Sequence, residues 1–370
     1  NELGMIPVLE YHHVGPKEER WTRSYGNFRS DLEWLYNNNY RAVSIADYVG
    51  QKISIPAGMK PVILTFDDGN VSQILIDDYA EVDPQSAVGI MDSFLKDHPD
   101  FGSAAVFYVN RNYFGRPEAD YLLRTGREVQ NHTASHADLS KVQNPEDELS
   151  WFEPHFGFQS LSIAYPFGGI PKNFSLLEKY FKIGFLVGAD PAQMPYHAKF
   201  EAYKIPRIQA IDEEWLRWFK RPKGATAKQN VVEVFTPFVS DGNADILTVL
   251  DEKYLKKDAV RSGVSVRVFE ILPYTLCEDP DAEKFISMKL RPISSGFHFG
   301  NLHEISRFFA QWIRHEILFP EPRGIYFTSG TAAGQTGRDL AKLLKKSGGD
   351  LIVFDVKETP GIVSSTERLK

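Results

Sequence analysis

Cysteine is almost absent: Cys277 is the one thiol among 370 residues, so no disulfide can form within the chain. A lone cysteine does not assign a compartment by itself. No apolar run approaches the ~20 residues that a helical membrane span needs. Positive charge is not in excess either. The 42 Lys and Arg stand against 49 Asp and Glu, a net charge of −7, so the basic footprint of a nucleic-acid binder is missing. Neither a membrane span nor a nucleic-acid partner is expected. The chain opens Asn1-Glu2-Leu3-Gly4, without initiator Met or signal sequence, and is expected to be a mature or trimmed form.

What is present is an ordinary globular composition, 42% hydrophobic and 25% charged, with length enough for two or three domains. Aromatic residues are plentiful, with 26 Phe, 16 Tyr and 6 Trp. Sugar-binding clefts and ordinary cores both use them, so composition alone does not choose.

Residues 6–14 read as a first strand running into His12 and His13. Phe28, Leu32, Leu35 and Tyr36 recur at helical spacing and predict an amphipathic helix over 28–40. Residues 62–66 are apolar throughout and short, as a buried parallel strand should be. Further strands are predicted at 103–109, 128–131, 161–165, 184–187 and 203–208, with helices at 118–125 and 174–181. This alternation predicts parallel βαβ units, in a doubly wound sheet or a barrel. Residues 220–228 break the pattern with Pro, Gly and clustered charge and read as a linker. Beyond them, strands at 231–238 and 264–272 predict a small β-rich domain, and 302–317 has helical periodicity. A strand at 323–329, a helix at 338–346 and a strand at 350–356 then form a βαβ segment. Two parallel strands are a poor free-standing fold, so this piece is expected to dock on the middle domain or to begin a longer barrel. The expected division is 1–220, 221–320 and 321–370.

Two stretches carry the chemistry: Thr65-Phe66-Asp67-Asp68-Gly69, and His132-Thr133-Ala134-Ser135-His136. One carboxylate and two imidazoles can hold a zinc-like ion while leaving positions open for water and substrate. The second carboxylate is then free to take a proton from that water. Each stretch has a bland reading alone: Asp-Asp-Gly forms turns and caps, and histidines four apart often lie on a solvated helix face. Together, each following a predicted strand, they point to a hydrolytic metal site. In barrels of this kind chemistry sits at the C-terminal strand ends, where His12, Asp67, Asp68, His132 and Phe167 all fall. His98, His155, His197, His298, His303 and His315 show no pattern and are taken as structural, and Trp215 with Trp218 as helix-face packing.

The two stretches resemble the first two signatures of the polysaccharide deacetylases, the NodB-homology group called carbohydrate esterase family 4. Pro7-Val8-Leu9-Glu10-Tyr11-His12-His13-Val14 is similar to the opening of the subgroup that includes poly-N-acetylglucosamine deacetylases, and Tyr165-Pro166-Phe167-Gly168 falls where the third signature belongs. The resemblance covers residues 5–210. It implies an irregular (β/α) barrel of fewer than eight strands, with Asp68, His132 and His136 as metal ligands and Asp67 as general base. A backbone N–H near Phe167 is implied to hold the oxyanion. Zinc is the expected ion, with cobalt or nickel as alternatives.

Three departures stand out. Ala164 takes the place of an arginine that orients the catalytic aspartate, Phe167 takes that of a tyrosine, and Ile205-Pro206-Arg207-Ile208 replaces a Leu-x-His signature that supplies the general acid. Arg207 is expected to reach Asp67 from another strand, and His12 to serve as the acid. The activity implied is removal of N-acetyl groups from an amino-sugar polysaccharide such as poly-N-acetylglucosamine, peptidoglycan or a chitin-like polymer. The rivals are an O-acetyl ester hydrolase on a xylan-like glycan and an inactive glycan-binding homologue. A polymeric substrate implies an extracellular or cell-surface location. Residues 324–363 resemble the start of a glycoside-hydrolase-like barrel.

Overall fold

The computed structural model describes residues 2–188, 190–224, 233–240 and 242, and beyond these the backbone of six strands. The chain divides into two compact units, residues 5–53 with 59–235, and residues 1–4, 54–58 and 236–370. Among the described residues no helix is long and apolar enough to cross a membrane.

The first unit is built on eight strands: β1 (Val8–Tyr11), β2 (Tyr40–Ala42), β3 (Lys60–Phe66), β4 (Val106–Val109), β5 (Glu128–Asn131), β6 (Ser162–Ala164), β7 (Ile183–Phe185) and β8 (Ile208–Gln209). Their order is β8-β1-β3-β4-β5-β6-β7, with β2 also on β3. Every pairing is parallel. One stretch of chain meets both edges: Ile205 bridges Phe185, and Ile208–Gln209 pairs with Leu9 and Glu10. The sheet is thereby curled into an irregular (β/α) barrel. All seven residues of β3 are buried, as expected for a strand covered on both faces. The register sets Glu10 level with Thr65 and Gln209, and Asp67, Asn110 and His132 follow directly on β3, β4 and β5.

Helix Tyr25–Asn37 begins at Ser24, whose hydroxyl accepts the Asn27 N–H, and buries Phe28, Leu32 and Leu35 against the sheet. Tyr11 meets Phe28 edge-on at 5.1 Å, and Phe66 stacks on Phe107 at 4.9 Å. Each such ring withdrawn from water stabilises the fold by roughly 1.5–3 kcal/mol. The helix also carries Asp31, fully buried. Its carboxylate accepts two hydrogen bonds from Arg23 (2.8 Å each), one from Arg221 (2.6 Å) and one from the Tyr11 hydroxyl (3.1 Å). Removing it strands two buried guanidinium groups, although Arg23 keeps Glu18 and Asp212. Asp31→Ala is therefore expected to destabilise the protein by about 3 kcal/mol; urea unfolding checks this, and a loss below ~1 kcal/mol contradicts it.

Several predicted elements shift. The predicted strand 6–14 breaks at His12 into β1 and a separate strand His13–Gly15 paired with Thr22–Ser24, because the His13 N–H donates to the Trp21 carbonyl and the chain leaves the β3 ladder there. The predicted strand 203–208 shrinks to one bridge and β8, since Pro206 cannot donate to a ladder. The linker expected at 220–228 does not start free, because Arg221 is buried on Asp31; residues 225–228 lie outside the described residues. Over 233–238 no strand forms. Val234 instead donates its N–H to the Trp218 carbonyl and Phe235 packs on Trp218 and Phe219. Trp215 is buried in the core, as packing predicts. Helix Ala87–Asp97, helix Ile45–Gly50 and strand β2 are additions to the sequence reading.

In the second unit Ser265–Ile271 lies beside Ile246–Val249 in parallel and beside Ala282–Pro292 in antiparallel register. Thr275–Asp279 pairs with Ala282–Pro292, which also lies parallel to Ile352–Val356, itself parallel to Ile325–Ser329. The predicted helices 302–317 and 338–346, with His298, His303 and His315, lie outside the described residues.

Candidate metal and proton-transfer site

The backbone is strained where the motifs sit. Asp68 (φ +80°), Thr133 (+63°), His136 (+59°) and Phe167 (+59°) all occupy the left-handed region, at a cost on the order of 1–3 kcal/mol each. Gly69 (φ +65°) must be glycine, because a Cβ there would stand 2.9 Å from both Tyr113 Cβ and Val109 Cγ1.

This turn aims Asp68 at two imidazoles. His136 Nε2 lies 3.1 Å and His132 Nε2 3.4 Å from the same oxygen, Asp68 Oδ1. The three ligand atoms all lie within 4.8 Å of one another. His132 Nδ1 sits 2.8 Å from the Ala164 carbonyl, which fixes the proton on Nδ1 and leaves Nε2 as the lone-pair nitrogen of the neutral ring. A tetrahedral ion with arms near 2.05 Å separates its ligand atoms by about 3.3 Å. The two Asp68 distances bracket that value, so the donor set fits such an ion. Burial lowers the pKa of His132, but the carboxylates of Asp67 and Asp68 and the Ala164 carbonyl more than offset this and raise it. Burial raises the pKa of Asp68, but hydrogen bonds to the two imidazoles outweigh it and hold the carboxyl well below the usual range.

Asp67 stands alongside. Arg207, fully buried, donates Nη1 to Asp67 Oδ1 (2.7 Å) and Nη2 to Oδ2 (2.6 Å). Its remaining donors reach the Leu186 carbonyl (2.8 Å) and Thr65 Oγ1 (3.1 Å). Burial alone would raise the Asp67 pKa; Arg207, then His132, reverse that and lower it. Asp67 Oδ2 is 4.0 Å from His132 Nε2, beside the three-residue cluster and outside it. His12 forms a second group with Asp67 and Glu10, whose ligand atoms also lie within 4.8 Å of one another. Phe167 is 71% exposed, its ring edge-on to His136 at 4.9 Å. The seven residues singled out in the sequence thus meet at one end of the barrel.

No protein-family model and no curated protein matches the sequence. The chain is similar to polysaccharide deacetylases of known structure. A polysaccharide deacetylase from Bacillus cereus shares 24% identity over 56% of this chain, with a TM-score of 0.46; the match spans 65% of the Bacillus cereus chain. The Streptococcus pyogenes deacetylase PplD, solved with acetate, shares 20% over 55% of this chain and 92% of its own, TM-score 0.44. IcaB from Ammonifex degensii shares 21% over 57% and 94%, TM-score 0.43.

Three residues of the site were not read from the sequence. Glu10 is buried within β1; the signal was a charged residue inside an otherwise apolar strand. Thr65 bridges the Leu9 carbonyl and Arg207. Gln73 donates its side-chain N–H to the backbone carbonyls of both His12 (2.9 Å) and Asp67, tying the two strand-end loops together. Nothing local marks Gln73, because its partners are 61 and 6 residues away.

Proposed function

We propose that this protein is a metal-dependent deacetylase that removes N-acetyl groups from an amino-sugar polysaccharide, with β-linked N-acetylglucosamine polymers as the favoured substrates. The observation that carries this reading is the Asp68–His132–His136 cluster with an ionised, arginine-held Asp67 beside it. Asp68, His132 and His136 would hold the ion, zinc by preference, with cobalt or nickel able to replace it. When bound, a divalent cation supplies Lewis acidity to water and to the acetyl carbonyl.

The chain's own residues do the rest. Asp67, kept ionised by Arg207, accepts the proton of the attacking water. Its low proton affinity makes it a weak base alone, which would suit it to a water acidified by the cation that Asp68, His132 and His136 would hold. The backbone N–H at Phe167 donates to the oxygen on which charge develops, and His12 returns a proton to the departing amine. The exposed Phe167 ring offers an apolar face to the substrate. A polymeric substrate places the protein outside the cell or on its surface.

The test is acetate release by the full chain from N-acetylglucosamine oligomers and from O-acetylated xylan, before and after chelation and add-back of zinc, cobalt or nickel. The expected result is release from the N-acetylated oligomers that disappears with the ion and returns with it. Release that survives chelation, or that comes from the esters alone, rejects the reading.

A further inference from the structure

The barrel ladder breaks where the proton-transfer residues begin, and one buried amide takes up what the break leaves over. The Asp67 N–H still reaches the Tyr11 carbonyl, at 2.9 Å. Continued in parallel register, the ladder would next bring the His13 N–H to the Asp67 carbonyl. That N–H goes to the Trp21 carbonyl instead, also at 2.9 Å. The Asp67 carbonyl thereby loses its ladder donor and needs another. Gln73, fully buried, supplies one: its side-chain Nε2 donates to the carbonyls of both Asp67 and His12, the latter at 2.9 Å. The amide cannot sit the other way round, because its oxygen would then face two carbonyl oxygens. Its Oε1 is left buried without a partner, a cost that an apolar side chain filling the same space would avoid.

Two neighbours in the same loop act on the same turn. The Ser72 hydroxyl accepts the Val14 N–H at 3.1 Å, and Asn70 donates its side-chain N–H to the His12 carbonyl at 3.4 Å. Residues 70–73 thus hold residues 12–14 at three points. Asp67 keeps its place without this clamp, because Arg207 bonds both its carboxylate oxygens and the Tyr11 carbonyl accepts its N–H. The His12 turn has left the ladder, and the loop takes over the role that the ladder would have had.

We propose that Gln73 is a positioning residue that, with Ser72, fixes the His12 turn against the strand end bearing Asp67, so that the donor and the acceptor of protons keep one spacing. This rests on the deacetylase reading above. Asp67 takes the proton of the attacking water. In the later step the C–N bond breaks, its electron pair stays on nitrogen, that nitrogen takes a proton from His12, and the C=O bond of acetate re-forms. The two groups belong to different strands, and a displacement of about 1 Å between them is enough to slow such a transfer by roughly 10²-fold.

An activated aryl acetate isolates the donor, because its leaving group departs as a stable anion and needs no proton. Gln73→Met keeps the length of the side chain and removes its N–H donors. It is expected to slow acetate release from N-acetylglucosamine oligomers by about 10–100-fold and aryl acetate hydrolysis by less than about threefold, with zinc content unchanged. His12→Ala provides the background that separates positioning from packing. It leaves the backbone carbonyl at position 12, and with it the clamp, in place. Removing Gln73 there disturbs the fold as much as before but has no imidazole to displace, so a further loss of less than about threefold is expected on the oligomers. Equal losses on both substrates, no loss on either, or the full further loss without His12 overturn the proposal. Should Gln73→Met fail to fold, the half-buried Ser72 decides. Ser72→Ala is expected to slow the oligomer reaction by about 3–10-fold and to spare the aryl acetate; absence of that split refutes the assignment. A wild-type protein that releases no acetate from the oligomers with zinc bound rejects the deacetylase reading itself, a different result from any of these.

Discussion

Asp67→Asn is expected to lower acetate release by about 10²–10⁴-fold, the range that a positioned general base contributes, while zinc still binds. Asn has nearly the volume of Asp but cannot take a proton from water at neutral pH. Its amide also turns an N–H toward one arm of Arg207, which now offers two donors to one acceptor. Leaving that buried guanidinium nitrogen poorly matched adds a stability loss of about 1–3 kcal/mol, so turnover must be read well below the unfolding temperature. Asp68, His132 and His136 are expected to keep their geometry, because the Asp67 carboxylate comes no nearer than 4.0 Å to His132 Nε2. Near-normal turnover with zinc bound would remove Asp67 from the reaction.

Arg207→Ala acts on the same carboxylate from the other side, and its largest effect is on stability. The guanidinium is buried with two hydrogen bonds to Asp67 and with Glu10 3.6 Å away. Without it two buried carboxylates, whose oxygens lie within 4.8 Å of each other, lose their shared cation. Breaking a buried pair in this way costs about 3–5 kcal/mol, and lysine cannot restore it because one ammonium cannot make the two-pronged contact. The pH dependence follows from the shift. In the native protein Asp67 has a lowered pKa, so its pairing stabilises the fold at any pH above the unfolded value near 4 and is lost as pH falls through the folded one. In the variant burial is no longer opposed by Arg207, the Asp67 pKa rises, and the folded state binds the proton more tightly than the unfolded chain. The stability deficit should therefore shrink from pH 7 to pH 5. Urea unfolding at both values checks the sign, with Arg207→Ala combined with Asp67→Asn as the control that recovers part of the loss. A deficit that widens at pH 5, or a double variant no more stable than the single one, would run against this description of the pair.

The parts of the fold legible in the sequence are those whose signals are local. The run ending at Phe66 is buried on both faces and, from Pro61 on, apolar but for Thr65, so its end, and the carboxylates that follow, could be located from the chain alone. The same holds for β5, where Glu128–Asn131 leads into the histidine pair. What escaped depends on partners far away. Arg221 looked like linker charge and is buried on Asp31, 190 residues earlier. Residues 233–235 carry a strand-like pattern, but Glu233 pairs with Lys60 and Phe235 fills a gap against Phe219. Helix Ala87–Asp97 was obscured by Gly89, a residue that weakens a helix yet is needed here, since a Cβ would stand 2.1 Å from the Asp83 carbonyl oxygen. In the site, Arg207 could be proposed only because Ala164 left Asp67 without the expected partner, and Glu10 showed itself only as a charged residue inside an apolar strand, a signal that names no partner until its neighbours are placed.

The claim on which all of this turns is that Asp68, His132 and His136 hold one divalent ion. Anomalous diffraction from zinc-soaked crystals, collected on both sides of the zinc edge, tests it most directly. The predicted result is one peak about 2.0–2.2 Å from a carboxylate oxygen of Asp68 and from Nε2 of each histidine, with the Asp67 carboxylate held by Arg207 and out of contact with it. A peak among Glu10, His12 and Asp67 instead, or none between the three named ligands, would contradict it.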